Sequence, residues 1–245
     1  MTYTAIAVDI AAGVIGVATA TASITVGNAV PALDPVSGAV ASQAWTNRAL
    51  RGRALQALRG GAGAEEALRT ALRADPGPDY RQLGVLDFDG RGAVHTGIAC
   101  TPWCGDLRGD DFVLLGNFLA GPQVLDAMAR AMMRDVVRGG GPAAGEQVST
   151  DASGRLRAED PSAVVGLAER LMAALAAGDH SGGDVRGGRS AALLVARRAE
   201  RGLYPPELDI DLRVDDAPRA VTALRALLTR RLEDGAPAVV TPRTE

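Results

Sequence analysis

Apolar and polar positions change their period several times along the 245-residue chain. Residues 2–8 open with a hydroxyl and continue with β-branched or small apolar side chains. After a turn at 9–13, residues 13–21 repeat that texture. Both stretches read as strands of one hairpin. Residues 21–31 are small, hydroxyl-rich and glycine-containing, which predicts irregular strand and turn, and 38–43 alternates as a short strand. The period then lengthens. Leucines at 50, 55 and 58 share one face of a helix predicted over 48–58, which the glycines of 60–63 end. A second helix is predicted over 64–73, with Glu65 and Glu66 in the first turn, where negative charge is favourable. The proline- and glycine-rich 75–79 stops it.

Strand texture returns at 82–88 and 92–97, on either side of a hairpin turn at Asp89 and Gly90. Residues 98–111 read as a loop and 112–117 as a third strand. Gly121 and Pro122 open a helix over 123–137, with Val124, Met128, Ala131 and Met132 on one stripe. Residues 138–160 are polar, glycine-rich and aperiodic, which predicts a mobile internal loop and not a domain linker. A helix over 161–177, a glycine-rich loop at 180–188, strands at 189–197 and 208–214, a helix over 218–232 and a frayed tail at 234–245 complete the chain. Strands grouped apart from helices argue for the α+β class. The expected architecture is one domain over 1–233, a four-layer αββα sandwich of two antiparallel sheets between helix layers, with 2–8 inside a sheet.

Composition narrows the function. Aromatic residues are only 3% of the chain, so Ala, Val and Leu must build the core. The net charge is −3 and no basic tract stands out, which argues against a nucleic-acid partner. No apolar run reaches the roughly 18–20 residues of a membrane-spanning helix, so no membrane partner is expected. Every basic residue is arginine, and without lysine there is no side-chain amine for Schiff-base or general-base chemistry. The start lacks a charged segment followed by an apolar one, so the expectation is a cytoplasmic protein with Cys100 and Cys104 reduced.

Candidate chemistry begins at Thr2. If Met1 is removed, Thr2 carries a free α-amine beside its own hydroxyl, a base and a nucleophile in one residue. The plainer alternative is the exposed end of an edge strand. An amide hydrolase would also need donors for the oxyanion, and Gln43, Asn47 and Asn117 are amides at predicted strand ends. His95 with Cys100 offers a thiolate pair, or with Cys104 three zinc ligands. That set is one ligand short, so neither metal nor cofactor is expected. Asp184, Arg186 and Arg189 flank a glycine loop and suit a carboxylate through paired arginine N–H groups, or form a solvated charged loop. Asp211, Arg213, Asp215 and Asp216 read as a strand-end salt-bridge cluster.

Several segments carry a resemblance together. They are GVIGVATAT at 13–21, GAVASQAWTN at 38–47, DPGPDYRQLGVLDFDGRGAVHTG at 75–97, CTPWCG at 100–105, GNFLAG at 116–121, GGDVRGGRSAALLV at 182–195 and IDLRVDD at 210–216. On these the chain resembles the family catalogued as domain of unknown function 1028, whose fold is similar to that of the N-terminal-nucleophile hydrolases. The resemblance implies four layers, with helices outside two antiparallel sheets. This sequence departs from the family pattern in three places. After Thr21, Ala22 and Ser23 supply no cation where a basic residue is usual; 138–160 is longer than usual; and Cys104 replaces a small apolar residue.

The expected site therefore groups Thr2, Thr21 and Asn47 as catalytic. Gln43, Trp45, His95, Cys100, Trp103, Asn117, Asp184 and Arg186 are expected to bind substrate. The expected activity is hydrolysis of amide or peptide-like C–N bonds by Thr2. The competing expectation is a non-catalytic member of the same fold that binds a small molecule or another protein. The expected partner is a small amide-like molecule, with a homodimer left open.

Overall fold

The computed structural model describes residues 2–134, 161–200, 202 and 205–234. In chain order the strands are β1 (Thr2–Asp9), β2 (Val14–Thr21), β3 (Pro31–Asp34), β4 (Gly38–Ala44), β5 (Arg81–Asp87), β6 (Gly92–Thr96), β7 (Gly105–Arg108), β8 (Phe112–Asn117), β9 (Ser190–Arg197) and β10 (Ile210–Val214). The helices are α1 (Val26–Ala29), α2 (Ala49–Arg59), α3 (Ala64–Arg73), α4 (Gln123–Met133), α5 (Pro161–His180) and α6 (Ala220–Glu233), with a 3-10 turn at Pro78–Tyr80. Among the described residues there are two sheets, ordered β10-β9-β2-β1-β8-β7 and β3-β4-β5-β6. Every strand pair in them is antiparallel.

The alternation of side chains on β1 positions the site. Ile6 and Val8 join Val17, Leu86, Val113 and Leu115 in an apolar cluster between the two sheets. Tyr3, Ala5 and Ala7 point the other way, into a cluster with α4, α5 and α6. A third cluster joins Leu83 and Val85 of β5 to α2 and α3 on the far side of the smaller sheet. β1 is therefore buried on both faces, and it lies between β2 and β8 and not at an edge. Few aromatics are needed because the elements approach closely. A Cβ on Gly16 would come within 2.7 Å of Leu171 Cδ1 on α5, and one on Gly84 within 2.5 Å of Leu115 Cδ2 across the gap between sheets.

The local chemistry explains the element ends. The β5–β6 hairpin turns at Gly90 (φ +81°), where the Asp87 carboxylate accepts the backbone N–H groups of Asp89 and Arg91. In α3, Glu65 and Glu66 fill the first turn and Arg73 the last, each complementing the helix dipole.

The structure corrects the sequence reading in several places. Residues 21–31, read as irregular strand and turn, contain the one-turn α1, and the strand β3 begins only at Pro31 and runs to Asp34; the Ser190 hydroxyl accepts the Val26 N–H and so supports the start of α1. The predicted loop 98–111 contains β7, which pairs with β8 at the sheet edge; a four-residue strand with two exposed positions carries too little alternation to be read. α5 runs to His180, three residues beyond the predicted end. α4 ends at Met133, and 135–137 of its predicted span lie outside the described residues, as do the predicted loop 138–160 and the tail from 235. No helix among the described residues is long and apolar enough to cross a membrane.

Candidate active site

β1 and β2 end together, and their hydroxyl side chains face the smaller sheet. Thr2 Oγ1 points at Thr21 Oγ1 across 3.4 Å, longer than a firm O–H···O bond. One rung further in, Thr4 and Thr19 are 2.7 Å apart, and Thr4 Oγ1 donates to Gln43 Oε1 at 2.7 Å. Gln43 lies at the end of β4, and its Nε2 donates to the Thr2 carbonyl at 3.2 Å and to Gln82 Oε1 at 2.7 Å. Asn117, register partner of Thr2 on β8, donates to the same Gln82 oxygen at 3.0 Å.

Gln82 is the hub of this network and is completely buried. Its Oε1 takes two amide donors, while its Nε2 serves Thr96 Oγ1, Gly105 O and Gly116 O at 2.9–3.0 Å. Thr96 in turn donates to Asp106 Oδ2 at 2.5 Å. A core this polar persists only because its groups are paired, and no buried side-chain N or O among the described residues lacks a partner. Sequence reasoning missed Thr4, Thr19 and Gln82. The signal available was a polar side chain at an inward position of a strand otherwise made for burial.

The structure thus brings together Thr2, Thr21, Gln43 and Asn117. Asp184 adjoins them: its side chain is fully enclosed, Oδ2 accepts the Ala22 N–H at 2.9 Å, and Oδ1 accepts the Arg186 N–H at 2.9 Å. The Arg186 guanidinium lies over the Phe118 ring, 5.5 Å from its centroid. Trp103 frames the same end of the larger sheet, where the Leu119 N–H donates to the Trp103 carbonyl at 2.9 Å.

The remaining expected residues stand apart from this network. Asn47 Nδ2 donates to Asp75 Oδ1 at 3.2 Å and its Oδ1 accepts the Ala49 N–H, so its amide supports the start of α2. Trp45 is 67% exposed and packs edge-on against Tyr80, with ring centroids 6.3 Å apart. His95 pairs with Leu83, and Leu83 faces α2 and α3; the His95 ring bonds the Pro78 carbonyl at 3.0 Å. Cys100 is buried, and its thiol donates to the Arg81 carbonyl. Burial first, then the nearby Cys104, pushes the Cys100 thiol above its ordinary pKa. Burial and then Asp106 do the same to Cys104. Both shifts favour the inert thiol over the thiolate. Among the described residues, no group of three His, Cys, Asp or Glu is placed to hold a metal ion.

One more ionisable group lies under the site. The Tyr3 hydroxyl donates to Asp179 Oδ1 at 3.0 Å. Burial, then the Asp179 charge and hydrogen bond, then the Asp184 charge hold its pKa well above the ordinary phenol value, so it remains a neutral donor.

Two antiparallel sheets with helices, joined at one end by a threonine and amide network, define the class of protein. The comparisons agree at the level of the family. Residues 2–224 match the family described as "Family of unknown function (DUF1028)". The crystal structure of protein SPO2555 from Silicibacter pomeroyi, of the same family, is similar at 30% identity and a TM-score of 0.71, over 94% of this chain and 85% of that one. No protein with a curated description matches. The chain belongs to the DUF1028 family.

Proposed function

We propose that the chain hydrolyses amide or peptide-like C–N bonds with Thr2 as nucleophile. On this reading the sheets and helices are the four-layer αββα sandwich of the N-terminal-nucleophile hydrolases. The three apolar clusters support that layering: one lies between the sheets and one under each set of helices.

The observation that carries the reading is the placement of Thr2. It begins a strand in the interior of the larger sheet, at the end where hydroxyls and amides gather, and its hydroxyl faces Thr21 without a short bond. Removal of Met1 would leave the α-amine beside that hydroxyl. Thr2 Oγ1 then bonds to the substrate carbonyl carbon, and its proton passes to the α-amine, the chain having no lysine to act as base. Asn117, cross-strand from Thr2, supplies an amide toward the oxyanion. Collapse breaks the C–N bond, the ammonium returns its proton to the leaving amine, and an ester on Thr2 remains. Water, deprotonated by the same amine, hydrolyses that ester and regenerates the hydroxyl. Gln43 fixes Thr2 through its carbonyl, and Gln82 fixes Gln43.

Intact mass of the purified protein tests the first requirement, with loss of Met1 expected. Thr2→Ala should abolish turnover of amides with little change in melting temperature, and Thr2→Ser should retain part of it. Full retention of Met1 on active protein, or wild-type turnover by Thr2→Ala, would sink the proposal. The competing reading, a non-catalytic binding protein, draws on the 4% exposure of Thr2. It predicts ligand binding with no turnover whether or not Met1 is lost.

A further inference from the structure

A cleft with two arginines in its walls lies against the residue that follows β2, and two backbone bonds fix it there. The Arg189 N–H donates to the Thr21 carbonyl at 2.7 Å, and the Ala22 N–H donates to Asp184 at 2.9 Å. Thr21 is the residue whose hydroxyl faces that of Thr2. The cleft has a volume of about 490 Å³, and its walls include Ala22, Arg186, Gly187, Gly188, Arg189 and Asp216. That volume suits a small molecule.

Its two arginines flank two glycines. Gly187 has φ +93°, and a Cβ there would meet nothing within 4 Å, so the backbone between the guanidiniums is bare and open to close approach. Arg186 is braced from below. The short bonds of Asp184 go to backbone N–H groups, and Arg186 Nε and Nη2 also bond its oxygens, at 3.4 and 3.3 Å. Its side chain remains 44% exposed. Arg189 is bidentate to Asp216 at 2.6 and 3.1 Å, and both are more than half exposed. Such a surface pair contributes little net stability, so an incoming carboxylate can take the place of Asp216. The buried acid thus sets the loop, and the exposed acid is exchangeable.

From this arrangement we infer that the cleft binds a carboxylate, so that the substrate class is small amides carrying a carboxylate group. The inference rests on the Thr2 reading for the word substrate; the anion site itself does not.

The test separates the two. Thr2→Ala protein is titrated calorimetrically with N-acetylglycine and with its neutral counterpart N-acetylglycinamide. The acid should bind about tenfold more tightly or better, the size of effect expected from a charged hydrogen-bonding partner. Arg186→Gln should remove that preference, and added salt should weaken it. Asp216→Asn should tighten binding of the acid several-fold, because it removes the resident competitor. Equal or absent binding of the two probes, or an unchanged preference in a folded Arg186→Gln protein, would overturn the anion site. Binding of the acid with no amide turnover by wild type would keep the site and remove the Thr2 reading. Turnover of the neutral amide without preference for the acid would do the reverse.

Discussion

Asn117 Nδ2 donates to Gln82 Oε1 at 3.0 Å, and so a strand of the larger sheet is tied to a strand of the smaller one through a group with no access to water. Gln43 reaches the same oxygen from β4 and then continues to the carbonyl of Thr2. The position of Thr2 is therefore set by contacts on both sheets.

Replacing Gln82 removes that tie. Gln82→Leu fills a similar volume but removes the acceptor that the Asn117 and Gln43 amides share and the donor to Thr96, Gly105 and Gly116. Stability should fall by about 3 kcal/mol or more, roughly 6–12 °C in melting temperature for a chain of this size. Thermal unfolding followed by circular dichroism reads it directly. An unchanged midpoint would mean that water replaces the glutamine at no cost.

If the α-amine of Thr2 is the base, activity must follow its protonation. Turnover of an amide should rise as pH passes through about 7–8, the ordinary range of an α-amine. A flat profile from pH 6 to 9 would contradict that role.

Asp75 provides a second pH handle. The Arg81 guanidinium, bonded at 2.6 Å, and the Asn47 amide outweigh burial and hold its carboxyl below the usual carboxylate range. A carboxyl lowered by folding stabilises the fold above its unfolded pKa, and the gain is lost as pH falls through the folded value. Asp75→Asn should therefore cost about 1.5–3 kcal/mol at pH 7, with the gap from wild type closing below about pH 4. Urea unfolding at pH 7 and pH 3 gives both numbers; an equal gap at the two values would rule out the ionised pair as its source.

The gap between the sheets has no spare room at Gly84. A methyl there meets Leu115 Cδ2 at 2.5 Å, and Leu115 is itself fully buried. Gly84→Ala should destabilise by about 1–3 kcal/mol. By contrast, Gly52→Ala lies in α2, where an added Cβ meets nothing, and should be neutral or mildly stabilising. Chemical denaturation of the two variants side by side checks the contrast.

Much of the fold was legible because local preference and burial agree. The runs at 2–8 and 13–21 are strands since β-branched residues suit a pleated surface, and 64–73 is a helix to the residue because its acids, leucine spacing and following breaker coincide. Antiparallel pairing of β1 with β2 and of β5 with β6 follows from short turns. The brief elements escaped: α1 and β7 hold four residues each, too few for a period, and their neighbours in space support them.

The sequence could propose Thr2, Thr21, Gln43 and Asn117 one at a time, from residue type and strand ends. It could not say that they meet, since 41 and 35 residues separate Gln43 from Thr2 and Asn117 from Gln82. Nor could it pick out Gln82 from the chain's other amides, because a glutamine becomes a hub only when two sheets close over it. Asn47, equally plausible in the sequence, was taken by Asp75, and His95 fell on the opposite face of its strand. Residue type determined which groups can do chemistry here; packing of one sheet on the other, which depends on contacts far apart in the chain, decided which of them stand together.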